Sequence, residues 1–337
     1  MSSAQRIVLA SRPDGHPTLD NFRLETFEPE AAGEGQVQLR ALYLSLDPYM
    51  RGRMSDAKSY AEPVAIGGVM QGETLCEVIG SRHPGFKAGD VVRAHTGWRT
   101  HAVMDGDAVT PVRTFGAPVT TALGVLGMPG FTAYSGMKLI GQPKPGETVV
   151  VAAASGPVGS LVGQLARLAG ARAVGIAGGP GKCAYVRDEL GFDACLDHRD
   201  ANLGTALAAA CPRGIDVYFE NVGGRIWDLV FPLLNQYARV PVCGLIAQYS
   251  VADTSGPDRL PALMSAVLRR SILLRGFINY EFARDHYDAF QQELGPRVAR
   301  GEIKYREDIV DGFANAPEAF LGMLSGKNFG KLIIRVA

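Results

Sequence analysis

Between Ala152 and Gly170 the chain reads AAASGPVGSLVGQLARLAG. Ala154, Gly156 and Gly159 fall on the spacing G-x-G-x-x-G, the turn through which a backbone approaches a dinucleotide pyrophosphate. The chemistry on offer is anion binding by free backbone N–H groups at a helix start. Two details depart from the pattern: Ala154 replaces the first glycine, and Pro157 lies inside the loop. Alanine serves where the chain leaves a strand if its φ stays negative, and Pro157 suits a first helical turn, where its missing N–H is no loss. Gly156 would then admit the pyrophosphate, with Pro157 and Val158 carrying the chain into the helix, and Gly159 would let helix and sheet pack closely. The competing reading is a glycine-rich corner before a buried helix.

A second stretch bears on which dinucleotide fits. An NAD site usually places an acid at the end of the second strand, about twenty residues past the first glycine, to hold the ribose hydroxyls. Here that position reads Ala177-Gly-Gly-Pro-Gly-Lys182, and no acid occurs between Gly156 and Asp188. A carboxylate would repel a 2′-phosphate, whereas an open glycine loop ending in lysine would accept one. NADPH is therefore favoured as cofactor; the alternative is that Lys182 is a surface lysine on the next helix.

The elements around the turn decide between its readings. Glu147–Ala154 is a short, nearly all-apolar run, as expected of a parallel strand buried on both faces. After Gly159, Leu161, Val162, Leu165, Leu168 and Ala169 recur at helical spacing, and Ala171–Ala177 reads as a second strand. Strand, turn, helix and strand make one βαβ unit, which favours the cofactor reading. Further strands are predicted at Ile215–Glu220, Ala238–Leu245 and Ile272–Ile278, with helices at Lys182–Leu190 and Leu203–Ala210. The fold class is α/β, with a doubly wound parallel sheet over residues 126–296. Residues 1–125, with short strands broken by Gly-Glu-Gly (33–35) and Lys-Ala-Gly-Asp (87–90), predict a β-rich partner domain. The tail 297–337 is too short to fold alone and is expected to rejoin that domain.

Composition removes other classes. The 337 residues carry 34 Lys+Arg and 34 Asp+Glu without a dense basic cluster, so nucleic acid is not an expected partner. The pair of arginines in Asp47-Pro-Tyr-Met-Arg-Gly-Arg53 suggests a local basic pocket instead. The uncharged runs Thr114–Met137 and Thr148–Ala166 are broken by glycine and proline, and the N-terminal apolar patch is too short for an export signal. The five cysteines are scattered without C-x-x-C, and the six histidines include no H-x-x-x-H. A reduced, cytoplasmic protein without metal or membrane contact is expected.

The chain also resembles a known family. Ser45-Leu-Asp-Pro-Tyr-Met-Arg51, Gly127-Met-Pro-Gly-Phe-Thr-Ala-Tyr134, the turn 152–160, Glu220-Asn-Val-Gly-Gly224, Cys243-Gly244 and Gly326-Lys-Asn-Phe-Gly-Lys331 carry the likeness over essentially the whole length. They are similar to the zinc-free medium-chain dehydrogenase/reductases, in the branch of prostaglandin and alkenal double-bond reductases, nearest to bacterial NADPH-dependent curcumin reductases. The resemblance implies a Rossmann domain, a GroES-like catalytic domain and a homodimer. It places the pyrophosphate on Gly156–Gly159 and the 2′-phosphate on Lys182. It sets ribose and nicotinamide against Asn221, the segment Cys243-Gly244-Leu245-Ile246-Ala247-Gln248-Tyr249, Phe277-Ile278-Asn279 and Asn328. His198 stands where many relatives have a tyrosine on the adenine side; it either makes that contact or caps the third strand.

The implied chemistry is reduction of an activated C=C bond. Zinc relatives polarise an alcohol with Cys and His ligands, and Ser45, Asp47 and Gly67-Gly-Val-Met-Gln71 supply no such set. Hydride reaching the β-carbon of an α,β-unsaturated aldehyde or ketone leaves negative charge on the carbonyl oxygen as an enolate, which a tyrosine O–H can stabilise. Tyr249 and Tyr60 are the candidate donors, against a plain packing role for each, and Tyr49 is expected to shape a hydrophobic pocket. The pocket is also expected to depend on the loop Tyr249–Leu260. A zinc-free quinone reductase and a non-catalytic, crystallin-like NADPH-binding protein are the alternatives.

Overall fold

The structure, a computed structural model, describes residues 3–251 and 258–336, so the centre of the loop 249–260 lies outside the described residues. Seven strands come first: β1 (Ala4–Leu9), β2 (Phe22–Phe27), β3 (Gln36–Ser45), β4 (Thr74–Ser81), β5 (Val91–Ala94), β6 (His101–Asp105) and β7 (Thr110–Pro111). Six follow: β8 (Thr148–Val151), β9 (Arg172–Ala177), β10 (Ala194–Asp197), β11 (Ile215–Phe219), β12 (Leu234–Val242) and β13 (Leu273–Gly276). Two close the chain: β14 (Glu307–Asp311) and β15 (Lys331–Arg335). The chain divides into two compact units: Met1–Thr114 with Pro118–Leu123 and Glu307–Ala337, and Phe115–Ala117 with Gly124–Arg306.

The first unit is β-rich. β1 and β2 form an antiparallel ribbon, and a seven-stranded sheet runs β14-β15-β3-β4-β5-β7, with β6 on β3. Strand β3 shows why: Val37, Leu39 and Ala41 are buried while Gln38 and Arg40 alternate outward, the period of a half-buried strand. Those three pack on Cys76, Val78 and Val92. The tail enters this sheet through β15, antiparallel to β3 with Ile333 opposite Ser45.

The second unit holds a six-stranded parallel sheet in the order β10-β9-β8-β11-β12-β13. Counted from β8, that is the doubly wound order 3-2-1-4-5-6, whose direction of winding reverses between β8 and β11. Every residue of β8 is buried, as both neighbours and both faces require. The helix Gly159–Leu168 lays Leu161, Val162, Leu165 and Ala166 on the sheet. Leu168, expected on that face, is exposed, and Ala166 takes its place. Gly163 lets the helix approach: a Cβ there would meet the Phe192 ring at 1.8 Å.

Several boundaries shift for local reasons. Residues 182–190 form a short α-helix, Pro180–Ala184, continued as a π-turn over Tyr185–Glu189. Strand β12 starts at Leu234, where Asn235 and Gln236 break the apolar pattern, and ends at Val242, so residues 243–245 belong to the following loop. The second unit runs past Pro296, which lies inside the helix Ala283–Ala299. Val298 and Ile303 are buried with Leu161, and Gln164 both donates to the Lys304 carbonyl and accepts its N–H, each at 2.8 Å. No helix among the described residues is long and apolar enough to cross a membrane.

Candidate active site

The glycine turn sits at the carboxyl end of β8, beside the point where the winding reverses, the place where ligands bind in open α/β sheets. The left-handed residue is Ala153, at φ 47°, while Ala154 keeps a negative φ. A non-glycine residue held there is strained by roughly 1–2 kcal/mol. Ala154 must be small because it faces Gly175 of β9, whose Cβ would come within 2.8 Å of the Ala154 methyl. At Gly159 a Cβ would meet the Ala153 carbonyl oxygen at 2.6 Å and Ala154 Cα at 2.9 Å, so only glycine lets the helix start this close to the strand. Pro157 lies in the turn before the helix rather than in its first turn, since the helix begins at Gly159 with Val158 at its cap. The Gly156 carbonyl already accepts the Ser160 N–H at 3.0 Å, and the first N–H groups of a helix have no acceptor within the helix itself.

A cationic cluster lies at the ends of β9 and β10. Lys182, Arg199 and Arg225 all act on His198, whose pKa is lowered by burial and by these three cations against the pull of Asp197. The glycines after β9 exist because of this cluster. A Cβ at Gly178 would reach His198 Nε2 at 2.8 Å, and one at Gly179, where φ is +89°, would reach the Arg199 guanidinium at 3.2 Å. Asp197 ties the two strand ends together: its Oδ1 accepts the N–H groups of Gly179 and Arg199 at 2.9 and 3.0 Å. The His198 N–H donates to the Ala177 carbonyl at 2.9 Å, joining the two strand ends, while its ring lies over the glycine loop. Arg199 was not among the residues marked from sequence. Its place follows from β9 pairing β10, which spacing along the chain does not reveal.

At the end of β11, Asn221 donates its amide to the Ala152 carbonyl at 2.8 Å, next to the glycine turn. Its Oδ1 is buried and has no hydrogen-bond partner among the described residues. A buried acceptor left open is what a bound ligand with N–H or O–H donors would satisfy. Cys243 donates its N–H to the Glu220 carbonyl at 2.9 Å, and its thiol is pushed up to about 12 by burial and the Glu220 charge, which makes it an inert thiol. The segment beyond it folds back on itself: the Leu245 N–H donates to the Tyr249 hydroxyl at 3.2 Å, and the Ala247 N–H to the Val222 carbonyl at 2.9 Å. Gly244 makes room for that hydroxyl, since a Cβ would lie 2.8 Å from it, and Gln248 reaches toward Gly223. Ile246 makes a short 3-10 turn with Ala247 and Gln248, placing Tyr249 at its end.

After β13 the side chain of Phe277 turns into the core, edge-on to Phe219 at 6.3 Å, so only its backbone remains for a ligand. Ile278 donates its N–H to Glu281 at 2.7 Å, and Asn279 donates to the Met128 carbonyl and the Thr132 hydroxyl at 3.2 and 3.1 Å. Turn, cation cluster, Asn221, the segment 243–249 and 277–279 thus all belong to one end of one sheet.

The remaining candidates lie in the first unit. The buried Arg53 guanidinium is flanked by Tyr60 at 4.3 Å and Tyr49 at 5.6 Å, measured to the ring centroids. Tyr60 is exposed, and Tyr49, beside Asp47 and Glu73, has its hydroxyl pKa raised mainly by burial. Arg53 was not singled out from sequence beyond the two-arginine motif. Asp47 is engaged elsewhere: it pairs with buried Lys331 at 2.7 Å and accepts the Ser45 hydroxyl. Asn328 donates to the Gly330 carbonyl at 2.9 Å. Among the described residues, no three His, Cys, Asp or Glu side chains group as a metal site.

A glycine turn at the first strand of a doubly wound sheet, with a β-rich unit in the same chain, defines a nucleotide-dependent oxidoreductase architecture. Residues 5–112 match the family described as "N-terminal domain of oxidoreductase" and residues 157–294 the family described as "Zinc-binding dehydrogenase". The chain belongs to the medium-chain dehydrogenase/reductase family. It is 54% identical to the NADPH-dependent curcumin reductase of Escherichia coli, over 99% of this chain and 97% of that one. It is 36% identical to the 2-alkenal reductase (NADP(+)-dependent) of Nicotiana tabacum, over 99% and 98%. The crystal structure of CurA from Vibrio vulnificus in complex with NADPH superposes with a TM-score of 0.96 at 51% identity, covering 99% of both chains.

Proposed function

We propose that this chain is an NADPH-dependent reductase of the C=C bond of α,β-unsaturated aldehydes and ketones. The observation that carries the reading is that one sheet end joins an acid-free glycine loop, ringed by Lys182, His198 and Arg199, to a tyrosine hydroxyl held at residue 249. The names of the curcumin and 2-alkenal reductases that it resembles support the same reading.

In this reading the turn Gly156–Gly159 takes the pyrophosphate, Lys182 takes the 2′-phosphate and His198 lies toward the adenine. Asn221 offers its open Oδ1 to a donor of the ribose or carboxamide, beside Cys243–Tyr249 and Phe277–Asn279. NADPH, when bound, supplies a hydride. The chain's part is to hold the enone in an apolar pocket shaped by Tyr49 and to meet the charge that develops on its oxygen. Tyr249 is the leading donor, because the Leu245 N–H fixes its hydroxyl at the same sheet end as the glycine turn and Asn221. Tyr60, steadied by Arg53, is the second. The first unit, Met1–Thr114 with Pro118–Leu123 and the tail Glu307–Ala337, is the substrate domain.

A panel of enones, enals and quinones tests this. NADPH consumption with enones, giving the saturated carbonyl compound, is the expected result; turnover of quinones alone would replace this reading with a quinone reductase, and no turnover would favour a binding protein.

A homodimer belongs to the same proposal. The edge strand β13 carries Leu273 and Leu274 exposed, with Met264 and Leu268 exposed on the helix Leu260–Arg270. An open edge with apolar side chains invites a strand from a second copy. Light scattering of the pure protein is expected to give twice the chain mass; the mass of one chain would contradict it.

A further inference from the structure

Glu220 ends β11 almost fully buried, at 2% exposure. One carboxylate oxygen, Oε1, accepts three donors: the Tyr218 hydroxyl at 3.1 Å, the Val222 N–H at 2.9 Å and the Gly223 N–H at 2.8 Å. Two of these are consecutive backbone groups of the loop that follows. That loop is sharply turned, with Gly223 at φ +75° and Gly224 at φ +59°, a shape that glycine permits. It is also the junction of the site. Asn221 reaches from it to the Ala152 carbonyl beside the glycine turn, and its Val222 carbonyl accepts the Ala247 N–H from the segment that ends in Tyr249. Without the carboxylate, two N–H groups and a hydroxyl would lose their shared acceptor, and the loop would be held by its bonds to the Ala152 carbonyl and the Ala247 N–H.

We propose that Glu220 is a positioning residue: its carboxylate folds the loop Asn221–Gly224 so that Asn221 presents its open Oδ1 to the cofactor. The inference rests on the reading above that Asn221 contacts NADPH. A neutral amide can accept the same three donors with the same shape, but hydrogen bonds to an ionised acceptor are about twice as strong. Glu220→Gln therefore keeps the fold and loosens the loop, whereas a residue that merely fills space would leave binding unchanged.

The test is a double-mutant cycle on NADPH affinity, read by fluorescence titration, with the cofactor-free unfolding midpoint of each variant measured alongside. Glu220→Gln is expected to weaken NADPH binding about tenfold, roughly 1.4 kcal/mol. In an Asn221→Ala background the same change is expected to alter binding less than twofold, because the residue it positions is gone. Wild-type affinity in Glu220→Gln, or the same tenfold loss in both backgrounds, would overturn the inference while leaving the cofactor reading intact. A wild-type chain that binds no NADPH would overturn both.

Discussion

Tyr249→Phe is expected to lower kcat by roughly ten- to a thousandfold, the upper part matching the loss of one oxyanion donor. The substitution keeps the ring and removes one hydroxyl. If that hydroxyl donates to enolate charge, its bond is worth more in the transition state than with bound substrate, so kcat falls rather than KM alone rising. The structure adds a second consequence. The same oxygen accepts the Leu245 N–H at 3.2 Å, so its loss also leaves a backbone donor of the segment 243–249 without its acceptor. Single-turnover hydride transfer beside an NADPH titration separates the two effects. A large fall in the transfer rate with little change in affinity supports the donor role, and equal losses in both place the hydroxyl in cofactor binding. Hydride transfer at the wild-type rate would remove Tyr249 as donor and turn attention to Tyr60.

Lys182→Ala is expected to reduce preference for NADPH over NADH by roughly ten- to a hundredfold, through KM for NADPH, since a charge-assisted contact is worth about 1.5–3 kcal/mol. The wild type itself is expected to prefer NADPH strongly, because the loop 177–182 carries no acid and Lys182, Arg199 and Arg225 outnumber Asp197, whose Oδ1 is engaged by backbone N–H groups. Arg199 sets how far the preference falls, since its guanidinium lies against Gly179 and remains in the variant. Steady-state kinetics with both cofactors measures the effect. A wild type that used NADH and NADPH equally would contradict the assignment.

What the sequence disclosed was local. The glycine spacing, the absent acid and the apolar run before the turn are each contained in a few adjacent residues, and the parallel sheet they predicted is present. What it withheld was mostly contact between distant residues. Asp47 and Lys331 form a buried ion pair from opposite ends of the chain, and no periodicity links them. Arg199 gains its place only because β10 lies beside β9, and Arg53 only because the chain brings Tyr60 back over its guanidinium, beside Tyr49. Other details were backbone conformations: the positive φ fell on Ala153 rather than at the position of the missing glycine, and Pro157 fell before the helix. Phe277 shows the limit of matching by motif, since its ring serves the core. Glu220 stood within a quoted motif, yet three donors meeting on one oxygen can be seen only in three dimensions.

The central claim is that hydride passes from NADPH to the β-carbon of an enone while the carbonyl is kept. The most direct measurement extends the substrate panel: turnover with NADPH carrying deuterium at the transferred position of C4, followed by NMR of the product. The account predicts a saturated ketone or aldehyde with one deuterium on the β-carbon. Deuterium on the carbonyl carbon of an allylic alcohol, or oxidation of the labelled NADPH by quinones with no deuterium entering any enone, would contradict it.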